Sequence, residues 1–304
     1  RPGIAAGKRL RVMIAAHMDE IGFMITNDDG KGFYRFENVG GIDVRQLPGK
    51  PVLIGKDKIP GVIGAKPIHL TKREELNTII SQETLRIDIG PGGSGVKVGD
   101  RAAFATKFFR QGNVLRAKSL DNRLGVSILI ELLKGDYPGI DLLAAFTVQE
   151  EVGGRGAVAA AFTFDPDLAF ALDSTPAYDM PFAEQEDDPQ VENIYYNTRL
   201  GAGPAIYITD AGTLSDPRLV RFLAETAEAN HIPFQFRQPG GGGTDAGAIH
   251  RQKTGIPTVS VSVPSRYQHS AASIGRVSDW QNTFALLDAA LNRITPDLLN
   301  IERD

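Results

Sequence analysis

The chain has 304 residues, 42% of them apolar and 23% charged, and 33 Lys and Arg against 37 Asp and Glu give a net charge of −4. That is the composition of a globular protein with a sizeable core, and it excludes a disordered chain, a coiled coil or a basic face for polyphosphates, so no nucleic-acid partner is expected. No apolar run approaches the ~20 residues of a membrane span, and without cysteine any metal must be held by His and carboxylates.

Residues 1–10 carry no initiator Met and run straight into an apolar strand over 11–16, as if an opening element were missing. The lack of a signal peptide therefore carries no weight, and composition leaves the compartment open. From about 21 to 112 short alternating runs are broken by Gly and Pro: Val52-Leu53-Ile54, Pro60-Gly61-Val62-Ile63, and Leu85 to Ile89 ahead of Gly90-Pro91-Gly92-Gly93. Such dense punctuation predicts a small β-rich unit. After Lys118 the texture changes. Helical spacing over 124–133 is followed by a strand over 142–148, an Ala-rich stretch over 156–162, and strands at 168–172, 205–208 and 258–263. Helices are predicted to start at Asp216-Pro217 and at Ser278-Asp279, with a polar cap ahead of Trp280. Alternating strands and helices imply an α/β sheet with helices on both faces, and the β-rich part is then an insertion after the first strand. The stretch Glu184, Glu186, Asp187, Asp188, Glu192 contains no cation and reads as a solvated loop, one that at a site mouth would bias charge selection.

The chemistry sits where polar residues end the apolar runs. The first strand delivers His17 and, on the same side of an extended chain, Asp19. The strand over 142–148 delivers Glu150 and Glu151, that over 168–172 delivers Asp173, that over 258–263 leads to His269, and Asp121 precedes a helix beginning near Asn122. In an open α/β sheet ligands bind beyond the carboxyl ends of the strands, so these residues can converge. Two His and several carboxylates suit hard or borderline divalent metals. Singly, each has an ordinary explanation. Asp121 reads as a helix N-cap, Glu150 and Glu151 as a solvated strand end, Asp173 as a turn former, and His69, His231 and His250 as surface or satisfied residues. The run Pro239-Gly240-Gly241-Gly242-Gly243-Thr244-Asp245 lacks the Gly-Lys-Ser/Thr ending of a phosphate cradle. Five crossings that all end in potential ligands are what the single explanations leave out.

The segments Ala16-His17-Met18-Asp19-Glu20-Ile21-Gly22, Lys118-Ser119-Leu120-Asp121-Asn122-Arg123, Gln149-Glu150-Glu151-Val152-Gly153-Gly154-Arg155-Gly156-Ala157, Ala171-Leu172-Asp173 and Gly243-Thr244-Asp245-Ala246 resemble, in order and across essentially the whole chain, the glutamyl aminopeptidase and tetrahedral (TET) aminopeptidase family of dinuclear metallopeptidases. The Asp-Asn-Arg and Glu-Glu-Val-Gly elements carry most of the weight. The resemblance implies a zinc-peptidase-like α/β domain with a mixed sheet over 1–20 and 114–304, and an inserted β-barrel-like dimerisation domain over 21–113. It implies two divalent ions, zinc with cobalt or manganese as substitutes: His17, Asp121 and Asp173 would hold one, and Asp121, Glu151 and His269 the other, with Asp121 bridging. Glu150 would be the general base and Asp19 the partner that orients His17. Short peptides with a free N-terminus are the expected substrates, dimers joined into a tetrahedral dodecamer the expected assembly, and the cytoplasm the expected location.

Two departures stand out. The family carries a helix and a strand ahead of the position of Arg1, so the chain looks truncated and its shell contacts incomplete, and the stretch 174–201 is longer and more acidic than the family pattern, which bears on side-chain preference. Other readings remain. A carboxypeptidase or N-acyl deacylase needs a cation to clamp a substrate carboxylate, and the sequence does not locate one. Members of the family have been labelled endoglucanases, but a glycosidase using Glu150 or Glu151 as metal-free carboxylates leaves His17 and His269 unexplained. A non-catalytic, metal-stabilised assembly subunit is the alternative outside enzymology.

Overall fold

Strand β1 (Leu10–His17) is apolar from Val12 to Ala16, and such a run settles only where both faces of a sheet are covered. In the computed structural model, which describes residues 9–180, 198–237, 242–300 and 302, the alternation divides the strand between two cores. Leu10, Val12, Ile14 and Ala16 pack on one side, and Met13 and Ala15 on the other.

After β1 the chain leaves the sheet and forms β2 (Gly22–Gly30), β3 (Phe33–Val39), β4 (Pro51–Ile54), β5 (Ile59–Gly64), β6 (Arg86–Asp88) and β7 (Arg101–Phe104). They pair in the order β2-β3-β6-β5-β4-β7 and close into a barrel as β7 returns to β2. Period-two patterning decides its inside: Phe23 and Ile25 are buried, and Met24 between them is exposed. Phe23 meets Phe36 and Phe104 edge-on at centroid distances of 5.2 and 5.1 Å, a favoured geometry for aromatic rings.

The chain returns through β8 (Phe109–Gln111) and β9 (Val114–Ala117), which pair with each other, β9 pairing in turn with a strand of the large sheet. It then alternates through α1 (Leu120–Leu132), β10 (Ile140–Thr147), α2 (Arg155–Phe164), β11 (Leu168–Pro176), β12 (Ala205–Tyr207), α3 (Pro217–Ala229), β13 (Gln235–Arg237), α4 (Asp245–Ile249), β14 (Thr258–Arg266), β15 (Ser273–Arg276) and α5 (Val277–Arg293). Among the described residues the large sheet runs β10-β1-β11-β14-β15-β9-β8, with β12 on β14 and β13 on β12. Strands β10, β1, β11 and β14 are mutually parallel, so their carboxyl ends share one edge. Helices α1, α3 and α5 bury Ile128, Leu223 and Leu287 against one face, and the small residues Ala157, Ala161 and Ala248 of α2 and α4 cover the other. The fold is thus a mixed α/β sheet with helices on both faces and an inserted barrel.

Helix α3 starts as its sequence indicates, with Asp216 accepting from Arg218 N and Pro217 in the first turn. Helix α5 differs. It begins at Val277, because Asn113 in the β8–β9 turn receives its first amides: Val277 N donates to Asn113 O and Ser278 N to Asn113 Oδ1, both at 2.9 Å. Asp279 is therefore not the cap, and its buried carboxylate accepts instead from Gly201 N at 2.7 Å and Gly203 N at 3.1 Å. The acidic stretch 184–192 and residues 238–241 of the glycine-rich run lie outside the described residues. No described helix is long and apolar enough to cross a membrane.

Candidate functional site

The strand exits are neighbours before any side chain is considered. His17, the last residue of β1, pairs in register with Thr147 of β10, and the Ala15 register places β11 on its other side, so that Glu150 and Asp173 emerge beside it. Asp121 enters from the start of α1, where the backbone of Asp121 and Asn122 is non-helical. Asn122 anchors this turn. It is fully buried, donates to Leu172 O at 2.8 Å and accepts from Gly125 N at 3.0 Å. His269 arrives on the loop after β14 with φ of 54°. Its Nδ1 lies 2.8 Å from Gly41 O, in the segment that follows β3. A carbonyl can only accept, so Nδ1 carries the proton and Nε2 is left as the donor atom for a metal.

The side chains converge on two trios that share one carboxylate. His17 Nε2 stands 3.2 Å from Asp121 Oδ1 and 3.3 Å from Asp173 Oδ1. His269 Nε2 stands 3.6 Å from Asp121 Oδ2 and 3.5 Å from Glu151 Oε2. Within each trio the potential ligand atoms all lie within 4.8 Å of one another. Glu150 lines the same cavity of about 410 Å³. Asp19 lies behind it, accepting from Glu150 N at 3.2 Å and Glu151 N at 3.3 Å. Its Oδ1 is 3.6 Å from His17 Nδ1, beyond hydrogen-bond length, and that nitrogen is buried without a hydrogen-bond partner.

The electrostatics describe a site short of positive charge. Burial, reinforced by Asp173, pushes the Glu150 carboxyl well above the usual carboxylate range, and burial with the charge of Asp121 does the same to Glu151. Burial raises Asp173 despite the opposing effect of His17. Asp121 goes the other way: burial would raise it, but hydrogen bonds to both imidazoles hold it low. His269 is raised by its bond to Asp121. His17 is raised as well, because Asp173 and its carboxylate partners outweigh the burial of the ring. Crowded carboxylates interleaved with imidazoles and free of thiolates are a donor set that zinc and similar divalent cations fit.

Other residues of the cavity escaped the sequence. Arg237 is buried in the wall, with its Nε donating to Thr175 Oγ1 at 3.0 Å and its guanidinium 4.5 Å from the centroid of the Tyr207 ring. Nothing in a short edge strand marks such an arginine. The doublet Gly40-Gly41 signals a backbone that must come close to something, but not to what. Gly242 and Gly243 line the cavity, while Thr244 caps α4 by accepting from Ala246 N at 3.2 Å. His250 is satisfied by Ala246 O at 2.9 Å, and His69 and His231 are exposed away from the cavity.

Residues 3–286 match the sequence profile of the M42 glutamyl aminopeptidase family. The chain is 31% identical over 303 residues to the lysyl aminopeptidase of Pyrococcus furiosus, which covers 95% of this chain and 84% of the relative. It superposes on an aminopeptidase of the archaeon Desulfurococcus kamchatkensis with a TM-score of 0.87 and 34% identity, over 98% of this chain and 83% of the other. The TET1 peptidase of Pyrococcus horikoshii, which can assemble into a tetrahedron or a large octahedral shell, superposes with a TM-score of 0.81 and 34% identity, over 94% and 85%. With the profile matched over almost the whole length and the fold shared with solved aminopeptidases, this chain belongs to the M42 glutamyl aminopeptidase family.

Proposed function

We propose that the chain removes the N-terminal residue of short peptides at a pair of divalent cations, zinc in the first instance and cobalt or manganese as substitutes. His17, Asp121 and Asp173 would hold one, and Asp121, Glu151 and His269 the other. The observation that carries this reading is Asp121, whose Oδ1 faces His17 and whose Oδ2 faces His269. When bound, such an ion pair lowers the pKa of water towards ~7 and stabilises the oxygens that develop charge during amide hydrolysis.

The chain's own residues supply the rest. Glu150 lies in the cavity outside both trios, which suits a general base that takes the proton from the attacking water and returns it to the leaving amine, a contribution of ~10²–10⁴ in rate. The surplus of carboxylates favours the cationic α-amine of a free peptide N-terminus over an acylated one. Asp19 fixes the Glu150–Glu151 turn through its two amides. We assign catalysis to the large-sheet unit, 1–20 and 114–304, and association to the barrel unit, 21–113. The tetrahedral shell of P. horikoshii TET1 and the dodecamer of a TET1 structure support an assembly in which dimers would join into a tetrahedral dodecamer, and on our reading the sites would face its enclosed space in the cytoplasm.

A carboxypeptidase remains the second reading: it needs a cation for a terminal carboxylate, and the arginine in the cavity wall, Arg237, is buried and engaged with Thr175 and Tyr207. A panel of aminoacyl-p-nitroanilides, their N-acetylated counterparts and N-acylated dipeptides, each assayed with EDTA and after addition of zinc, cobalt or manganese, separates the two. Metal-dependent release from free-amine substrates alone supports the aminopeptidase, and release from N-acylated dipeptides alone supports the carboxypeptidase. Activity that survives EDTA removes the metal from the mechanism.

A further inference from the structure

Gly40 and Gly41 follow barrel strand β3, yet both lie against the second trio. The carbonyl of Gly41 receives the His269 Nδ1 proton at 2.8 Å, and a Cβ placed on Gly41 would come within 3.3 Å of that nitrogen. Gly40, at φ of +85°, would bring a Cβ to 3.3 Å from Glu151 Oε2 and 2.7 Å from Ile21 Cγ2. The first trio is held differently, with His17 and Asp173 set by adjacent parallel strands of the large sheet. The His269 side chain is 43% exposed and sits on a loop, and besides the carboxylates facing its Nε2 it has the Gly41 carbonyl behind it. That acceptor on the far nitrogen confines the ring.

We propose that the Gly40-Gly41 turn is a positioning element for the second trio, fixing the proton of His269 on Nδ1, aiming Nε2 at Asp121 and Glu151, and making cation affinity at that trio alone depend on how the barrel seats against the large sheet. The inference rests on the two trios being cation sites. Hydrogen bonds to the distal nitrogen of a ligating imidazole are typically worth ~10–100-fold in metal affinity. Gly41 is outside the left-handed region, so a side chain there tests contact with the ring rather than backbone strain. Gly49, at φ of +78° with open space around a built Cβ, provides the opposite control: strain in the barrel without contact at the site.

The experiment is a cobalt titration of metal-free protein, read by the visible absorption of the bound ion and by equilibrium dialysis. It compares wild type, Gly41→Ala, Gly41→Val, Gly49→Ala, His269→Ala and the Gly41→Val/His269→Ala double variant. Wild type should take up two equivalents. The Gly41 variants should keep one at wild-type affinity and bind the other ~10-fold or more weakly, with valine worse than alanine, while Gly49→Ala titrates like wild type. In the His269→Ala background, Gly41→Val should cost nothing further, because the group it acts through is gone. The inference is overturned if both equivalents bind the Gly41 variants as they bind wild type, if both weaken together, or if the loss adds in full to that of His269→Ala. Wild type that takes up no cobalt would instead refute the dinuclear reading, and the variants would then have no binding to lose.

Discussion

The carboxylate of Asp19 faces the imidazole of His17 at 3.6 Å while its two oxygens accept the backbone amides of Glu150 and Glu151. One side chain thus touches the residue that ends β1 and the turn that follows β10. Asp19→Asn keeps the shape but turns an NH₂ group towards an amide that also donates. The expected outcome is an enzyme weakened ~10–100-fold at limiting metal and largely restored at saturating metal. Kinetics at both metal concentrations check it, and full activity at limiting metal would refute it.

Glu150 and Glu151 are neighbours with different surroundings, since Glu151 belongs to a trio and Glu150 does not. Glu151→Gln should lower metal content, because an amide is a poor substitute for a carboxylate ligand. Glu150→Gln should retain its ions yet lose ~10²-fold or more in kcat, since the amide cannot carry the proton. Elemental analysis paired with kcat at saturating metal decides it. A Glu150→Gln protein that loses metal but regains activity on reconstitution would reverse the assignments.

Metal removal should leave a protein that weakens as pH rises. Burial pushes Glu151 up to about 7 and Glu150 up to about 9, and the bond to Asp121 raises His269 to about 9. Asp173 and His17 are raised as well, so the metal-free folded state holds more protons than the unfolded chain from the ordinary carboxylate range up to and beyond about pH 9, and its stability falls as pH rises through that range. Asp19 and Asp121 are held below their usual values, so their contribution is lost only in acid and adds no slope here. Melting temperatures in EDTA should drop from about pH 5 to about pH 9, and zinc should offset the drop by replacing the protons. Parallel curves with and without zinc would contradict this.

Asn122→Ala removes the donor to Leu172 O and the acceptor for Gly125 N, two hydrogen bonds made in the interior. Denaturant unfolding should show a loss of about 1–3 kcal/mol. Metal content should fall with it, because the turn that presents Asp121 loosens.

Light scattering of the metal-replete protein should give the mass of a dodecamer or of its dimeric building block. A monomer under those conditions would refute the role assigned to the barrel.

The candidate site was legible in sequence where a polar residue breaks an apolar run: His17 after 11–16 stands out because a buried strand has little other use for it, whereas Asp173 after 168–172 has an ordinary use as a turn former and counts only beside the others. Asp121 was legible only in combination, since a carboxylate ahead of a helix has an ordinary use as a cap. The start of α5 and the orientation of His269 were not legible. Asn113 meets Ser278 across 165 positions, and Gly41 meets His269 across 228. Both contacts draw on backbone groups, which every residue carries and which leave no mark in composition or period.

Asp121 sends one oxygen towards each imidazole, and on the proposed assignment this makes metal exchange stepwise. With one half empty, Asp121 would still be held by an ion in the other half, so His17 and Asp173, or Glu151 and His269, would keep the arrangement they need to bind again. Retuning one half for a different ion must then go through its private ligands, His17 and Asp173 or Glu151 and His269, because any change at Asp121 is felt by both.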